Sequence, residues 1–171
     1  MKKSISTFLK HPTKDKTNRS ANPPVIRAST ILFNSMQEMI KHEKKIKSHK
    51  NVTHYTYGRY GSTTTIELEN IIKELEQAYH VFLTGTGFGG LSLALMSLCR
   101  PGDEILVSDN VYGPTREISE DLLKEFNINV RFYNPEKFED LKNKVSDKTK
   151  MILVENPGSN TFEFQDLSKI V

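Results

Sequence analysis

Ten residues hold the densest chemistry in this chain: Val81-Phe82-Leu83-Thr84-Gly85-Thr86-Gly87-Phe88-Gly89-Gly90. A short apolar run breaks into four glycines and then resumes as a second apolar stretch. That pattern predicts a strand, a turn bare of side chains and the start of a helix. Glycine reaches backbone conformations closed to other residues. The first N–H groups of a helix lack partners within it, so with the helix dipole behind them they face an anion favourably. The turn is therefore a candidate phosphate seat. Gly85-Thr86-Gly87-Phe88-Gly89-Gly90 also fits G-x-G-x-x-G, and Asp109 ends the next expected strand about 20 residues on. On that reading the ligand is a dinucleotide, Asp109 binds its ribose, and the chain is an NAD-binding Rossmann oxidoreductase. Ordinary turn chemistry also places Asp at strand ends.

The elements that must position the turn alternate. Strands are predicted at Val81–Thr84, Glu104–Ser108, Ile128–Tyr133 and Met151–Glu155, and helices over Phe88–Cys99, Pro114–Phe126 and Pro135–Val145. Pro114 and Pro135 suit first-turn positions, and Pro101-Gly102 stops the first of these helices. Strand starts recur at roughly the 20 to 25 residues of a βα unit, which predicts an α/β fold with a mostly parallel sheet covered by helices. Upstream, Thr64-Thr65-Ile66-Glu67 reads as a capping box. It opens a helix carrying Ile66, Leu68, Ile71, Ile72, Leu75 and Tyr79 at near-helical spacing, expected to pack on the sheet. Tyr55-Thr56-Tyr57-Gly58-Arg59-Tyr60-Gly61-Ser62 forms a loop dense in aromatics and glycine before it. The first 30 residues, with Pro12, Pro23 and Pro24, read as an extended arm.

At 171 residues, 36% of them apolar and 26% charged, the chain is long enough for one ordinary domain of a soluble protein. Its longest apolar stretch, near Phe88–Cys99, falls short of the roughly 18 residues that cross a bilayer, so no membrane association is expected. The N-terminus lacks the apolar core of a secretory signal. A single cysteine, Cys99, excludes an internal disulfide and fits a reducing cytoplasm; it reads as a buried helix residue. Residues 1–50 carry 12 Lys/Arg against three Asp/Glu, and residues 51–171 carry 12 against 18. The lysines between Lys41 and Lys50 read as the solvated face of a polar helix beside Met36, Met39, Ile40 and Ile46. Without aromatic–basic interleaving or a recognition helix, that basic stretch does not predict nucleic-acid binding. His42, His49, His54 and His80 lie at no metal-ligand or triad spacing, and no metal is expected.

A second reading of the glycine turn uses more of the chain. Tyr57-Gly58-Arg59, the glycine turn, Asp109-Asn110-Val111-Tyr112-Gly113-Pro114-Thr115, and Val154-Glu155-Asn156-Pro157-Gly158-Ser159 occur in that order. They resemble the blocks of the Cys/Met-metabolism, or trans-sulfuration, family of pyridoxal-phosphate enzymes of fold type I. The resemblance runs from about Ala28 to Val171. Synthases and γ-lyases of that family usually carry Tyr-Ser-Arg and Pro-Thr-Asn-Pro. Tyr57-Gly58-Arg59-Tyr60-Gly61-Ser62 and Pro157-Gly158-Ser159 look instead like cystathionine β-lyase. Cystathionine γ-synthase and γ-lyase types remain open.

The resemblance implies roles. Backbone N–H groups of Gly87 and Phe88 match those that hold the cofactor phosphate, although Phe88 departs from the small residue or Met more usual there. Tyr112 matches the tyrosine that stacks on the pyridine ring and is proposed to move a proton at the substrate amine. Tyr57 and Arg59 match a pair that reaches the phosphate in a neighbouring subunit, which implies a homo-oligomer, a homotetramer in the family. A planar guanidinium fork suits phosphate. Ser159 stands where many relatives place an asparagine near the cofactor hydroxyl. The implied substrate is a small amino acid of cystathionine type, in methionine and cysteine metabolism.

Two further parts are implied beyond Val171: an aspartate that keeps the pyridine nitrogen protonated, and a lysine that holds the cofactor aldehyde. Lys150 superficially matches a Thr-Lys pair but precedes the Pro-Gly-Ser block and reads as solvent-facing. The expected organisation is an N-terminal arm and helix over 1–50 and part of a pyridoxal-phosphate-binding large domain over 51–171. This chain on its own is then expected to be inactive, with an open sheet edge and uncovered apolar faces. A non-catalytic remnant is the remaining alternative.

Overall fold

The computed structural model describes residues 23–47 and 56–171. The expected arm up to residue 22, together with His49, His54 and Tyr55, lies outside the described residues. The rest falls into two compact units divided between Leu83 and Thr84.

In the first unit, helix α1 spans Met36–Lys47. Ser35 opens it by accepting the Glu38 N–H on its hydroxyl at 3.2 Å. Met36 and Ile40 on this helix are exposed. Helix α2 spans Thr63–Glu76. The capping box lies slightly earlier than the sequence suggests: Ser62 is the N-cap and Thr65 its reciprocal partner, in place of Thr64 and Glu67. Gly61, at φ +140°, delivers the chain so that Ser62 is extended and its hydroxyl meets the Thr65 N–H. Thr64 is engaged elsewhere, donating to Pro24 O at 3.0 Å and accepting from Ile26 N at 2.8 Å. The helix ends at Gln77 in the left-handed region, so Tyr79 stands outside it and is exposed.

The second unit is built on three parallel strands, β1 (Glu104–Ser108), β2 (Asn129–Tyr133) and β3 (Thr149–Leu153), in the order β2-β1-β3. The expected strand Val81–Thr84 does not form. Its apolar residues lack a neighbouring ladder, and the Leu83 N–H goes instead to Glu69 Oε1 at 3.3 Å. Helix α3 (Gly87–Leu98) lays Leu91, Leu95 and Cys99 on the Ile105 and Val107 face of β1. Burial of aliphatic side chains of this size is worth about 1.5–3 kcal/mol each.

The expected helix Pro114–Phe126 breaks at Asp121, at φ −102°, ψ −78°, into α4 (Gly113–Glu120) and α5 (Leu122–Glu125). Ile118 and Leu123 from these helices join the α3 face of the sheet. Helix α6 starts at Phe138 and runs to Lys144, later than Pro135 suggests. The Asn134 side chain takes the Glu136 N–H at 2.9 Å, an Asx turn that competes with helix. Leu141 of α6 and Ile170 of the short helix α7 (Leu167–Ile170) cover the other face with Leu106, Tyr133 and Ile152.

Candidate functional site

The strand order makes a place for a ligand. From β1 the chain crosses to β2 on one side, and later to β3 on the other, so the loops leaving β1 and β3 part at one point beyond the carboxyl ends of the strands. Open α/β sheets bind ligands in that crevice. Tyr112 and Ser159 leave the sheet there, on the β1 and β3 loops respectively.

The two loops are bound to each other. The Tyr112 N–H donates to Glu155 Oε2 at 2.8 Å, and the Ser159 N–H donates to Asn110 O at 2.9 Å. Gly158 is buried against the side chain of Asn110: a Cβ there would meet Asn110 Nδ2 at 2.3 Å. Only glycine lets the β3 loop approach this closely. The Asn156–Pro157 peptide within the loop is cis. The Tyr112 ring is half exposed at the N-cap of α4.

Helix α3 enters β1 through the short Pro101-Gly102 turn and packs along its face. It therefore runs antiparallel to β1 and starts at the end where Tyr112 and Ser159 stand. Thr86 caps it, its hydroxyl accepting the Gly89 N–H at 2.9 Å while its carbonyl accepts the Gly90 N–H at 3.0 Å. No described residue takes the N–H groups of Gly87 and Phe88. A Cβ at Gly85 or Gly87 would meet nothing within 4 Å, so this helix start is an open cup. Its free donors and bare surface suit a phosphate dianion.

Asp109 is committed to Arg116. The guanidinium bonds both the carboxylate and the carbonyl of Asp109 and reaches Glu120 at 3.2 Å. It also lies 4.1 Å over the Phe132 ring. Hydrogen bonding to the Asp109 carboxylate, with Glu120 adding to it, raises the Arg116 pKa further. Nearby, hydrogen bonding, chiefly from Thr161 and its own backbone N–H, holds the Glu163 carboxyl below its usual range. Sequence reasoning assigns no role to Arg116, Glu155 or Gln165, although Glu155 lies within one of the blocks that carry the family resemblance.

Tyr57 and Arg59 belong to the first unit. Tyr57 bridges to Thr30 and accepts from Ser29 Oγ at 3.2 Å. Arg59 stacks over the Tyr57 and Tyr60 rings at 5.1 and 5.9 Å, which holds an exposed guanidinium in place. Gly58 between them is obligatory: a Cβ would come within 1.7 Å of Ala28 O. Among the described residues no group of three His, Cys, Asp or Glu side chains could hold a metal ion, and no helix is long and apolar enough to cross a membrane.

A parallel α/β sheet with an open, glycine-rich helix start and an aromatic residue at its switch point belongs to the class of folds that bind ligands beyond the carboxyl ends of their strands. The family of Cys/Met metabolism PLP-dependent enzymes matches residues 6–171, and the chain belongs to it; the family's cofactor is pyridoxal phosphate. A putative cystathionine beta-lyase from Rhizobium johnstonii is 35% identical over 168 residues, covering 97% of this chain and 40% of that protein. Cystathionine beta-lyase from Bordetella avium is 34% identical over 170 residues, covering 96% and 42%. The fold matches a putative O-acetylhomoserine (thiol)-lyase of Campylobacter jejuni, whose crystal structure carries N'-pyridoxyl-lysine-5'-monophosphate. The TM-score is 0.84 at 20% identity, over 99% of this chain and 41% of that one. The chain thus spans about two fifths of the length of these curated relatives. Membership decides between the two readings of the glycine turn. The dinucleotide reading is set aside, in keeping with the capture of Asp109 by Arg116.

Proposed function

We propose that these residues form the phosphate-binding and ring-facing part of a pyridoxal-phosphate carbon–sulfur lyase of the cystathionine β-lyase type. The observation that carries this reading is the open cup at Gly87 and Phe88, on the same unit as the locked Tyr112 and Ser159 loops. In this reading the Gly87 and Phe88 N–H groups take the phosphate, the Tyr112 ring covers the cofactor ring, and the Ser159 hydroxyl reaches its phenolic oxygen. The Tyr112 phenol exchanges a proton with the substrate amine. Arg59, with Tyr57, reaches the phosphate of a neighbouring subunit in a homo-oligomer. When bound, the cofactor supplies the electron sink that lets bonds at Cα and Cβ of an amino acid break. The reaction would be cystathionine and water to homocysteine, pyruvate and ammonia.

Gly58 supports the β-lyase type over the Tyr-Ser-Arg enzymes, since the Ala28 carbonyl leaves no room for a serine side chain. Lys150 is the second residue of β3, at the opposite end from the crevice, and is exposed. It cannot serve as the lysine that holds the cofactor aldehyde. The site should therefore bind pyridoxal phosphate in preference to NADH. Equilibrium dialysis of the 171-residue polypeptide against each ligand tests this. Saturable binding of pyridoxal phosphate supports the proposal, and NADH binding without pyridoxal phosphate binding overturns it.

A further inference from the structure

Gln165 takes no part in the chemistry above, yet it is only 7% exposed and both its amide oxygen and its amide nitrogen are bonded at one place. Its Oε1 accepts from the Tyr133 hydroxyl at 2.9 Å. Its Nε2 donates to Ser108 Oγ at 3.0 Å and to Glu155 O at 3.1 Å. Ser108 is the last residue of β1, Tyr133 the last of β2, and Glu155 lies two beyond β3. One amide therefore pins the carboxyl ends of all three strands. The backbone of Gln165 is held in turn by Asn156, whose Oδ1 accepts its N–H at 2.9 Å and whose Nδ2 donates to its carbonyl at 3.3 Å.

We propose that Gln165 is a positioning residue: it sets the Glu155–Ser159 loop against the strand ends and, through the Glu155 carboxylate, places the main chain of Tyr112. The side-chain chemistry is specific. An amide offers one acceptor and two donor hydrogens on a planar head. The phenol of Tyr133 needs an acceptor, whereas the Glu155 carbonyl needs a donor. A carboxylate in its place satisfies the first and repels the second. An apolar side chain removes the acceptor of the Tyr133 hydroxyl and the donor to Glu155 O in a buried site, while Ser108 keeps its bond to Asn110. Glu155 is the link outward, since its carbonyl is held by Gln165 while its carboxylate holds the Tyr112 N–H. The effect on the Tyr112 backbone stands on these contacts alone; its effect on cofactor affinity rests on the function proposed above.

The full chain, labelled with 15N-tyrosine, gives one amide signal for each of its six tyrosines. In Gln165→Met the Tyr112 amide should move upfield as its bond to Glu155 weakens, and pyridoxal phosphate should bind about tenfold more weakly, the loss of roughly one hydrogen bond. Gln165→Glu preserves volume and the Tyr133 contact, so it serves if the first variant fails to fold; the same amide should move. Ile128→Ala opens a cavity in the opposite layer without touching the strand-end bonds, and should leave that amide in place. An unmoved Tyr112 amide in the Gln165 variants, or an equal shift in Ile128→Ala, overturns the proposal. If the unaltered chain binds no pyridoxal phosphate, the cofactor reading fails while the amide signals still decide the role of Gln165.

Discussion

The backbone N–H of Tyr112 is held by the carboxylate of Glu155 at 2.8 Å, across 43 positions of sequence. Tyr112 is the N-cap of α4, and its own side chain makes no cap bond. In a capping box the side chain at the third helical position reaches back to that N–H. Here that position is Thr115, which is fully buried, and Glu155 of another loop takes its place. The carboxylate also sits favourably at the positive end of the helix.

Glu155→Ala should therefore act like loss of a cap, lowering the unfolding free energy of the second unit by about 1–2 kcal/mol. Urea titration followed by circular dichroism measures it. Glu155→Gln, which still accepts the N–H, should cost less.

The glycine cup separates stability from binding. Gly87 stands first in α3 with open space around it, so Gly87→Asp should fold and should gain slightly from the helix dipole, by about 0.3–1 kcal/mol. The same charge faces any bound phosphate, and pyridoxal phosphate affinity should fall at least tenfold in dialysis. Unchanged affinity would show that the phosphate sits elsewhere.

Gly58→Ser drives a side chain onto the Ala28 carbonyl, whose oxygen would lie 1.7 Å from the new Cβ if the backbone stayed in place. The backbone of residues 28–30 must move, at a cost of about 1–3 kcal/mol. Hydrogen exchange should rise at the residue 58 N–H, which in the unaltered chain donates to Ser29 O at 2.7 Å.

Glu104 sets an acid limit on the second unit. Only 5% exposed, it is pushed up by burial, but hydrogen bonds from Thr149, Arg131 and Ser146, with the charge of Arg131, outweigh burial and hold its pKa below the ordinary 4.5. A carboxyl more acidic in the folded than the unfolded chain contributes its full stability above the unfolded pKa. That contribution is lost as pH falls through the folded value. Thermal unfolding followed from pH 7 downward should show the midpoint dropping steeply below about 4.5, and Glu104→Gln should flatten that limb while lowering the plateau at neutral pH.

The three strands of the sheet and helix α3 are legible in the sequence to within about two residues, because a parallel core writes short apolar runs between turn residues. The glycine-rich start of α3 is legible for the same local reason, whereas its Thr86 cap was not read from the sequence. Val81–Thr84 has the composition of a strand and is not one: an apolar run becomes a strand only beside another strand, and that neighbour is a tertiary matter. Ser62 displaces Thr64 as a cap because Gly61 sets where the helix can begin. The break at Asp121 has no breaker residue to announce it.

Local chemistry written in the chain was enough to specify the glycine-rich start of α3 and the family, since helix starts and turns depend on neighbours a few residues away. Glu155 under Tyr112, Gly158 against Asn110 and Gln165 across three strand ends were set by folding. Their partners lie 43, 48 and up to 57 positions away, and hydrogen bonds and contacts of that span exist only once the sheet has brought its strand ends together.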